Sequence, residues 1–296
     1  DNPIIIIGHW RTGSTLLHQL MNLDNDLTAP TLFQVTLPDS FLSSRRYYEP
    51  AMKAFMGKHR PMDQVKLGFD EPMEDEWATF RMTNISPLER VIFPKSGRYF
   101  LLDYAPFVPE ASFVAQWEKT LCAFFKKLAY STNKRIVLKN PFHSLRIKML
   151  TRLFPNVRFI HIYRHPYTVI PSTIRMWNIV GKQNSLNKRW TSPQIEDVVT
   201  VLDRMLSAIQ HDLAELPDEN YCEVKFEELE TEPVSVLKKI YQKLGLTFTP
   251  QFENKVNEFL LDIKHYKKNI YTLSQQEREL ISNRLKYHIE YYGYKL

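Results

Sequence analysis

The residues Gly8-His9-Trp10-Arg11-Thr12-Gly13-Ser14-Thr15 combine the parts that an anion site requires. Two glycines bracket the stretch, Arg11 supplies a cation, and Thr12, Ser14 and Thr15 supply hydroxyls. Glycine permits a tight backbone path, and the hydroxyls add donors to the backbone N–H groups. Ile4 to Ile7 before the loop is a continuous β-branched run, and Leu16, Leu17, Leu20 and Met21 after it recur at helix spacing. A loop that leaves a strand and opens a helix gathers unpaired N–H groups and the positive end of a helix dipole, which is how backbone binds phosphate.

The loop is similar to the nucleoside-triphosphate pattern G-x-x-x-x-G-K-[ST], but Ser14 stands where that pattern has lysine. Kinases and NTPases set that lysine on the outer phosphates and hold Mg²⁺ on the next hydroxyl. With Arg11 as the loop's cation, the sequence weighs against ATP chemistry. It suits a doubly charged 5′ end whose transferable group needs less neutralisation, such as a phosphosulfate.

Two further stretches carry chemistry. Val137-Leu138-Lys139-Asn140-Pro141-Phe142-His143 ends a second apolar run, and Phe154-Pro155-Asn156-Val157-Arg158 leads through Phe159-Ile160-His161-Ile162-Tyr163 to Arg164-His165-Pro166, with Ser172 eight positions after Arg164. On these motifs the chain resembles the bacterial-type PAPS-dependent sulfotransferases, which use 3′-phosphoadenosine 5′-phosphosulfate. In that family [KR]-[ST]-G-[ST]-T grips the 5′-phosphosulfate, matched by Arg11-Thr12-Gly13-Ser14-Thr15, and Leu16-Leu17-His18 completes the longer string. The segment F-P-x-x-[KR]-[FI]-x-x-x-x-R-x-P and a serine eight residues past its arginine grip the 3′-phosphate, matched by Arg164 and Ser172. An arginine at a strand's carboxyl end and a serine about two turns on can both reach one ribose phosphate.

The resemblance covers residues 3–24 and 134–245, and residues 30–130 match no motif. It implies PAPS as donor, PAP as product, no required metal, and a single sulfotransferase domain over 1–296. It also implies roles. Arg11 counters charge on the leaving phosphate. Lys139 corresponds to the strand-end lysine of cytosolic members, whose base is a histidine two residues later. Pro141 occupies that place here, and His143, two further on, is the leading candidate. Other members use a glutamate soon after the first helix, where this chain has Gln34, so Glu74, Asp75 and Glu76 of the string Asp70–Glu76 are the remaining source of a base. A late basic loop with Lys267 and Lys268 is carried over as a cover for the 3′-phosphate.

The elements that must position these groups alternate. Strands are expected at Arg135–Leu138, Val157–Tyr163 and Tyr221–Phe226, each followed by a helix, near Ser144–Phe154, Tyr167–Val180 and Val234–Leu244. A long amphipathic helix over Gln194–Leu216 and two helices after Pro250 complete the count. The expected fold class is α/β, a P-loop-type central parallel β-sheet flanked by helices. Residues 29–130 break the alternation and are rich in aromatics, among them Phe33, Phe41, Phe69, Tyr99, Phe100 and Phe107. They read as a mostly helical, irregular insertion whose rings form either satellite core or the wall of an apolar acceptor pocket.

Composition bounds the partners. Charged residues make up 24% and the formal charge is +6, which favours an anionic ligand. The anionic donor and general surface charge account for the basic residues, so no nucleic-acid partner is expected. Cys122 and Cys222 are too few for a disulfide framework, which suits a cytoplasmic setting. No apolar run reaches about 18 residues, so no transmembrane segment is expected. A strand starting near residue 3 leaves no room for a signal peptide, with an anchor on a trimmed N-terminal extension left open. The expected acceptor is a small or lipid-like hydroxyl compound such as a sterol. A carbohydrate or protein tyrosine acceptor, a P-loop kinase and a non-catalytic nucleotide-binding protein are the alternatives, and the oligomeric state is open.

Overall fold

Parallel strands covered on both faces lack polar alternation, and β1, Ile4–Ile7, has all four isoleucines fully buried. The computed structural model describes residues 2–55, 68–94, 99–104, 111–186, 190–264 and 269–296. Among these, β1, β2 (Leu27–Thr28), β3 (Arg135–Lys139), β4 (Arg158–Tyr163) and β5 (Tyr221–Lys225) form one parallel sheet in the order β2-β3-β1-β4-β5. The edge strand β2 was not legible beforehand, since two residues show no periodicity.

Helix α1 (Ser14–Met21) follows β1. The insertion holds α2 (Leu32–Thr36), α3 (Phe41–Phe55), α4 (Glu76–Thr83), α5 (Glu89–Ile92) and α6 (Ala111–Thr132). After β3 the chain makes a 3₁₀ turn, Pro141–Leu145, before α7 (Ile147–Leu153). The helix expected at Ser144 therefore starts later, because Asn140 caps the Phe142 N–H and Pro141 opens a tighter turn. Helices α8 (Pro166–Asn184) and α9 (Ile195–Ala214) follow β4, and α10 (Phe226–Thr231) and α11 (Pro233–Lys243) follow β5. The chain closes with α12 (Pro250–Ile263) and α13 (Gln275–Tyr291).

The side chains of β1 point alternately to the two faces. Ile4 and Ile6 pack with Leu17, Leu20, Leu237 and Ile240 of α1 and α11. Ile5 and Ile7 pack with Phe33, Phe41, Phe69, Trp117 and Phe124, so several aromatics of the insertion build the layer that covers the sheet. Tyr99 and Phe100 join Trp10 and Trp177 in a third cluster. For these rings the satellite-core alternative holds, while Tyr47, Tyr48 and Phe93 are exposed. Phe107 lies outside the described residues.

Strand β1 sits between β3 and β4: the chain runs from β1 to β2 and β3 on one side, then crosses to β4 and β5 on the other. An open parallel sheet has a crevice at such a place, outside the carboxyl ends of its strands. No helix among the described residues is long and apolar enough to cross a membrane.

Candidate active site

The opening loop lies in this crevice and its path is fixed from three sides. Gly8 takes φ +140° and a Cβ there would stand 2.3 Å from the Ile162 carbonyl oxygen; Gly13 takes φ +93° and a Cβ would stand 2.0 Å from the Phe226 ring. Only glycine fits both the rotation and the space. Ser144 ties the loop to the segment after β3, its Oγ accepting from the Gly8 N–H at 2.9 Å. The Thr12 hydroxyl donates to the His9 carbonyl at 2.8 Å, so it shapes the loop from within. The Gly13 carbonyl accepts from Leu16 and Leu17, while the N–H groups of Ser14 and Thr15 in the first turn of α1 have no intrahelical acceptor. They stand at the positive end of the helix, ready for an anion.

Arg164 follows the last residue of β4, and Ser172 is buried in α8. The Arg11 Nε donates to the Ser172 Oγ at 2.9 Å, and the Tyr271 hydroxyl donates to the same oxygen at 3.3 Å. Two residues separated by 161 positions thus meet directly. The Arg164 guanidinium lies 4.1 Å from the centre of the Phe226 ring, and its Nε is buried without a hydrogen-bond partner. Burial lowers its affinity for a proton, Glu230 and Glu227 oppose that, and the charge of Arg11 adds to it. Arginine keeps its charge in such surroundings. Two neighbouring cations and an unused buried donor fit a ligand that brings phosphate to both.

The second constellation joins β3 to the insertion. Lys139 is paired in register with Ile6 of β1, and its Nζ donates to Glu74 Oε1. Asn140 Nδ2 donates to Asp75 Oδ1 at 3.2 Å and to Glu76 Oε2 at 3.0 Å. His143 Nε2 meets Asp75 Oδ2 at 2.9 Å. Arg146 clasps Glu76 with two nitrogens, at 2.6 and 3.0 Å, and its Nε donates to the Tyr104 hydroxyl at 2.9 Å. Burial pushes the Glu76 carboxyl up, but the Arg146 charge and the bonds from Arg146, Ser86 and Asn140 outweigh it and leave it below the usual carboxylate range.

The structure therefore brings Arg11, Arg164 and Ser172 together at the loop and sets Lys139 on the adjoining strand end. His143 is paired through Nε2 with Asp75; both side chains are 0% exposed, and the His143 Nδ1 is buried without a hydrogen-bond partner. Lys267 and Lys268 lie outside the described residues. The pairing of Glu76 with Arg146 and the closeness of Phe226 and Tyr271 to the loop were not anticipated. Three consecutive acids at 74–76 were the available signal, but their partners on and after β3 are 64 to 70 positions away. No cluster of three His, Cys, Asp or Glu side chains suited to a metal occurs among the described residues.

Two buried histidines flank the site. Burial holds His9 down to about 4, and burial with the charge of Lys139 holds His18 down to about 3. Both rings stay neutral in the folded chain, whereas an unfolded histidine binds a proton below about 6.5. The unfolded state then holds more protons between about pH 6.5 and 4, so stability falls as pH drops through that window. Urea midpoints measured at pH 7 and pH 5 should show the lower value at pH 5, and equal midpoints would contradict the buried, neutral assignment.

A family profile described as "Sulfotransferase family" matches residues 3–250. Omega-hydroxy-beta-dihydromenaquinone-9 sulfotransferase Stf3 of Mycobacterium bovis (strain ATCC BAA-935 / AF2122/97) is 32% identical over 296 residues, spanning 99% of this chain and 76% of that protein. The crystal structure of sulfotransferase STF9 from Mycobacterium avium superposes with a TM-score of 0.78 at 17% identity, over 100% of this chain and 78% of that one. Sulfotransferase STF1 from Mycobacterium tuberculosis H37Rv gives 0.59 at 16% identity, over 96% and 76%. At these identities the two solved structures speak to the fold alone.

Proposed function

The chain belongs to the sulfotransferase family, and from that premise we propose that it moves a sulfuryl group from 3′-phosphoadenosine 5′-phosphosulfate to the hydroxyl of a lipid-like acceptor. The observation that carries the donor assignment is the meeting of Arg11 and Ser172 beside Arg164, whose buried Nε has no partner. The donor supplies the sulfuryl group on an activated phosphosulfate.

This chain's residues then do positioning and electrostatics, which dominate a loose in-line transfer. The N–H groups of Ser14 and Thr15, with Arg11, hold the 5′ end. Arg164 and Ser172 hold the 3′-phosphate. Lys139, on the strand beside β1, faces charge that develops on the transferred group. The whole chain acts as one domain in this reading, and residues 29–130 supply the acceptor side. The acceptor class is supported by the relative whose name gives a hydroxylated dihydromenaquinone as its substrate, and by the apolar side chains of the insertion that remain outside the core, such as Phe93.

The test is calorimetric titration with 3′-phosphoadenosine 5′-phosphate and with ADP, in EDTA. The two ligands differ in where the second phosphate sits. Tight binding of the first and weak binding of ADP is expected, and equal affinities would overturn the donor assignment. Replacing Arg164 with Met removes a charge-assisted contact worth roughly 1.5–3 kcal/mol, so affinity for the 3′-phosphorylated ligand should fall about 10- to 150-fold. ADP affinity should change little. Labelled donor supplied with a long-chain alcohol and with an oligosaccharide tests the acceptor class, and sulfation of the sugar alone would remove the lipid reading.

A further inference from the structure

Resting on the sulfotransferase reading, we propose that Glu74 is the catalytic base, the residue that takes the acceptor's hydroxyl proton. The three consecutive acids 74–76 are gripped in chain order by Lys139, His143 and Arg146, and the grips leave them in different states. Both oxygens of Asp75 are occupied, Oδ1 by Asn140 and Oδ2 by His143. Both oxygens of Glu76 are occupied as well, by Arg146, Asn140 and the Ser86 hydroxyl, which donates at 2.6 Å. Asp75 and Glu76 are wholly buried. Neither can accept a proton from a substrate without first losing a buried partner, which is costly.

Glu74 differs on each count. Its side chain is 21% exposed, it is bonded through Oε1 to Lys139, and Oε2 has no partner among the described residues. A base must come within hydrogen-bond reach of the proton it takes, and this carboxylate stands at the end of β3, beside the strand whose loop receives the donor. The buried bonds of Asp75 and Glu76 to Asn140, His143 and Arg146 anchor the backbone immediately after it. In this assignment His143, the histidine in the expected stretch, belongs to the anchor through its Nε2 contact with Asp75.

The step balances. The Glu74 carboxylate takes the hydroxyl proton as the acceptor oxygen forms its bond to sulfur. The bond between sulfur and the 5′-phosphate oxygen breaks, and its electron pair leaves with that phosphate. Lys139 keeps its proton throughout.

Wild type, Glu74→Gln, Glu74→Asp and His143→Gln are compared for kcat against pH with labelled donor and a long-chain alcohol, and for affinity toward 3′-phosphoadenosine 5′-phosphate. Glu74→Gln should lower kcat by about 10²- to 10⁴-fold, the usual contribution of a general base, with ligand affinity unchanged and the thermal midpoint lowered because Lys139 loses its carboxylate partner. The acid-side fall of kcat should vanish in Glu74→Gln and persist in His143→Gln and, at reduced kcat, in Glu74→Asp. Turnover of Glu74→Gln within about threefold of wild type, or loss of the acid limb in His143→Gln alone, overturns the assignment while leaving the sulfotransferase reading intact. Absence of turnover by wild type on any hydroxyl acceptor overturns both. Should His143→Gln fail to fold, the two Glu74 variants decide the matter by themselves.

Discussion

Replacing Glu76 with Gln should destabilise the folded chain by about 3–5 kcal/mol, the cost of leaving a buried charge without its partner. The substitution keeps the shape and removes only the charge. Arg146 would then be left 3% exposed, with its guanidinium 4.9 Å from the Trp117 ring and its Nε on the Tyr104 hydroxyl. Those contacts do not replace a bidentate carboxylate. At about 2–4 °C per kcal/mol for a chain somewhat smaller than this one, the thermal midpoint should drop by roughly 6–20 °C. A second variant carrying both Glu76→Gln and Arg146→Met should recover part of the loss, because the buried guanidinium is removed together with its carboxylate. Calorimetry that found less than about 1 kcal/mol for the single change would mean that water reaches Arg146, against its burial.

The same pair sets an acid limit. The Glu76 carboxyl is held below its ordinary value of 4.5, because the Arg146 charge and the hydrogen bonds outweigh burial. A carboxylate with a lowered value in the folded state contributes stability above the unfolded value and loses it as pH falls through the folded one. Its share of the stability is therefore in place at neutral pH and disappears below 4.5, beyond most of the histidine window.

Replacing Lys139 with Met should lower kcat by about 10²- to 10³-fold, the typical loss for one preorganised donor aimed at developing charge. The ammonium is held 7% exposed beside Glu74, in register with β1, so it costs little reorganisation at the moment of reaction. Affinity for 3′-phosphoadenosine 5′-phosphate, which has no sulfuryl group, should change far less. That split distinguishes a role in transfer from a role in donor binding. Equal loss of affinity and kcat would place Lys139 among the donor-binding residues instead. Because Lys139 also bonds Glu74, the two single variants and their combination should be strongly non-additive.

The parallel sheet, the opening loop and the order of strands and helices were legible along the chain because their signals are local. Four adjacent isoleucines fit a doubly covered strand, and glycines at 8 and 13 fit a loop whose backbone must turn where no side chain has room. Arg164 and Ser172 were singled out by their spacing of eight, which runs from the end of β4 into α8, and their joint hold on one phosphate belongs to the proposal. The proposed base was not legible along the chain. Distance along the sequence favoured His143, four residues from Lys139, over acids some 65 positions upstream. Hydrogen bonding across the fold is what brings Glu74 into the proposal: it pairs His143 with Asp75 and Glu76 with Arg146, and holds Glu74 through one oxygen on Lys139. Local periodicity determines which segments become strands, helices and anion loops. Which of several titratable groups stays free for chemistry depends on burial and on partners brought from elsewhere in the chain, and the tertiary structure alone supplies those.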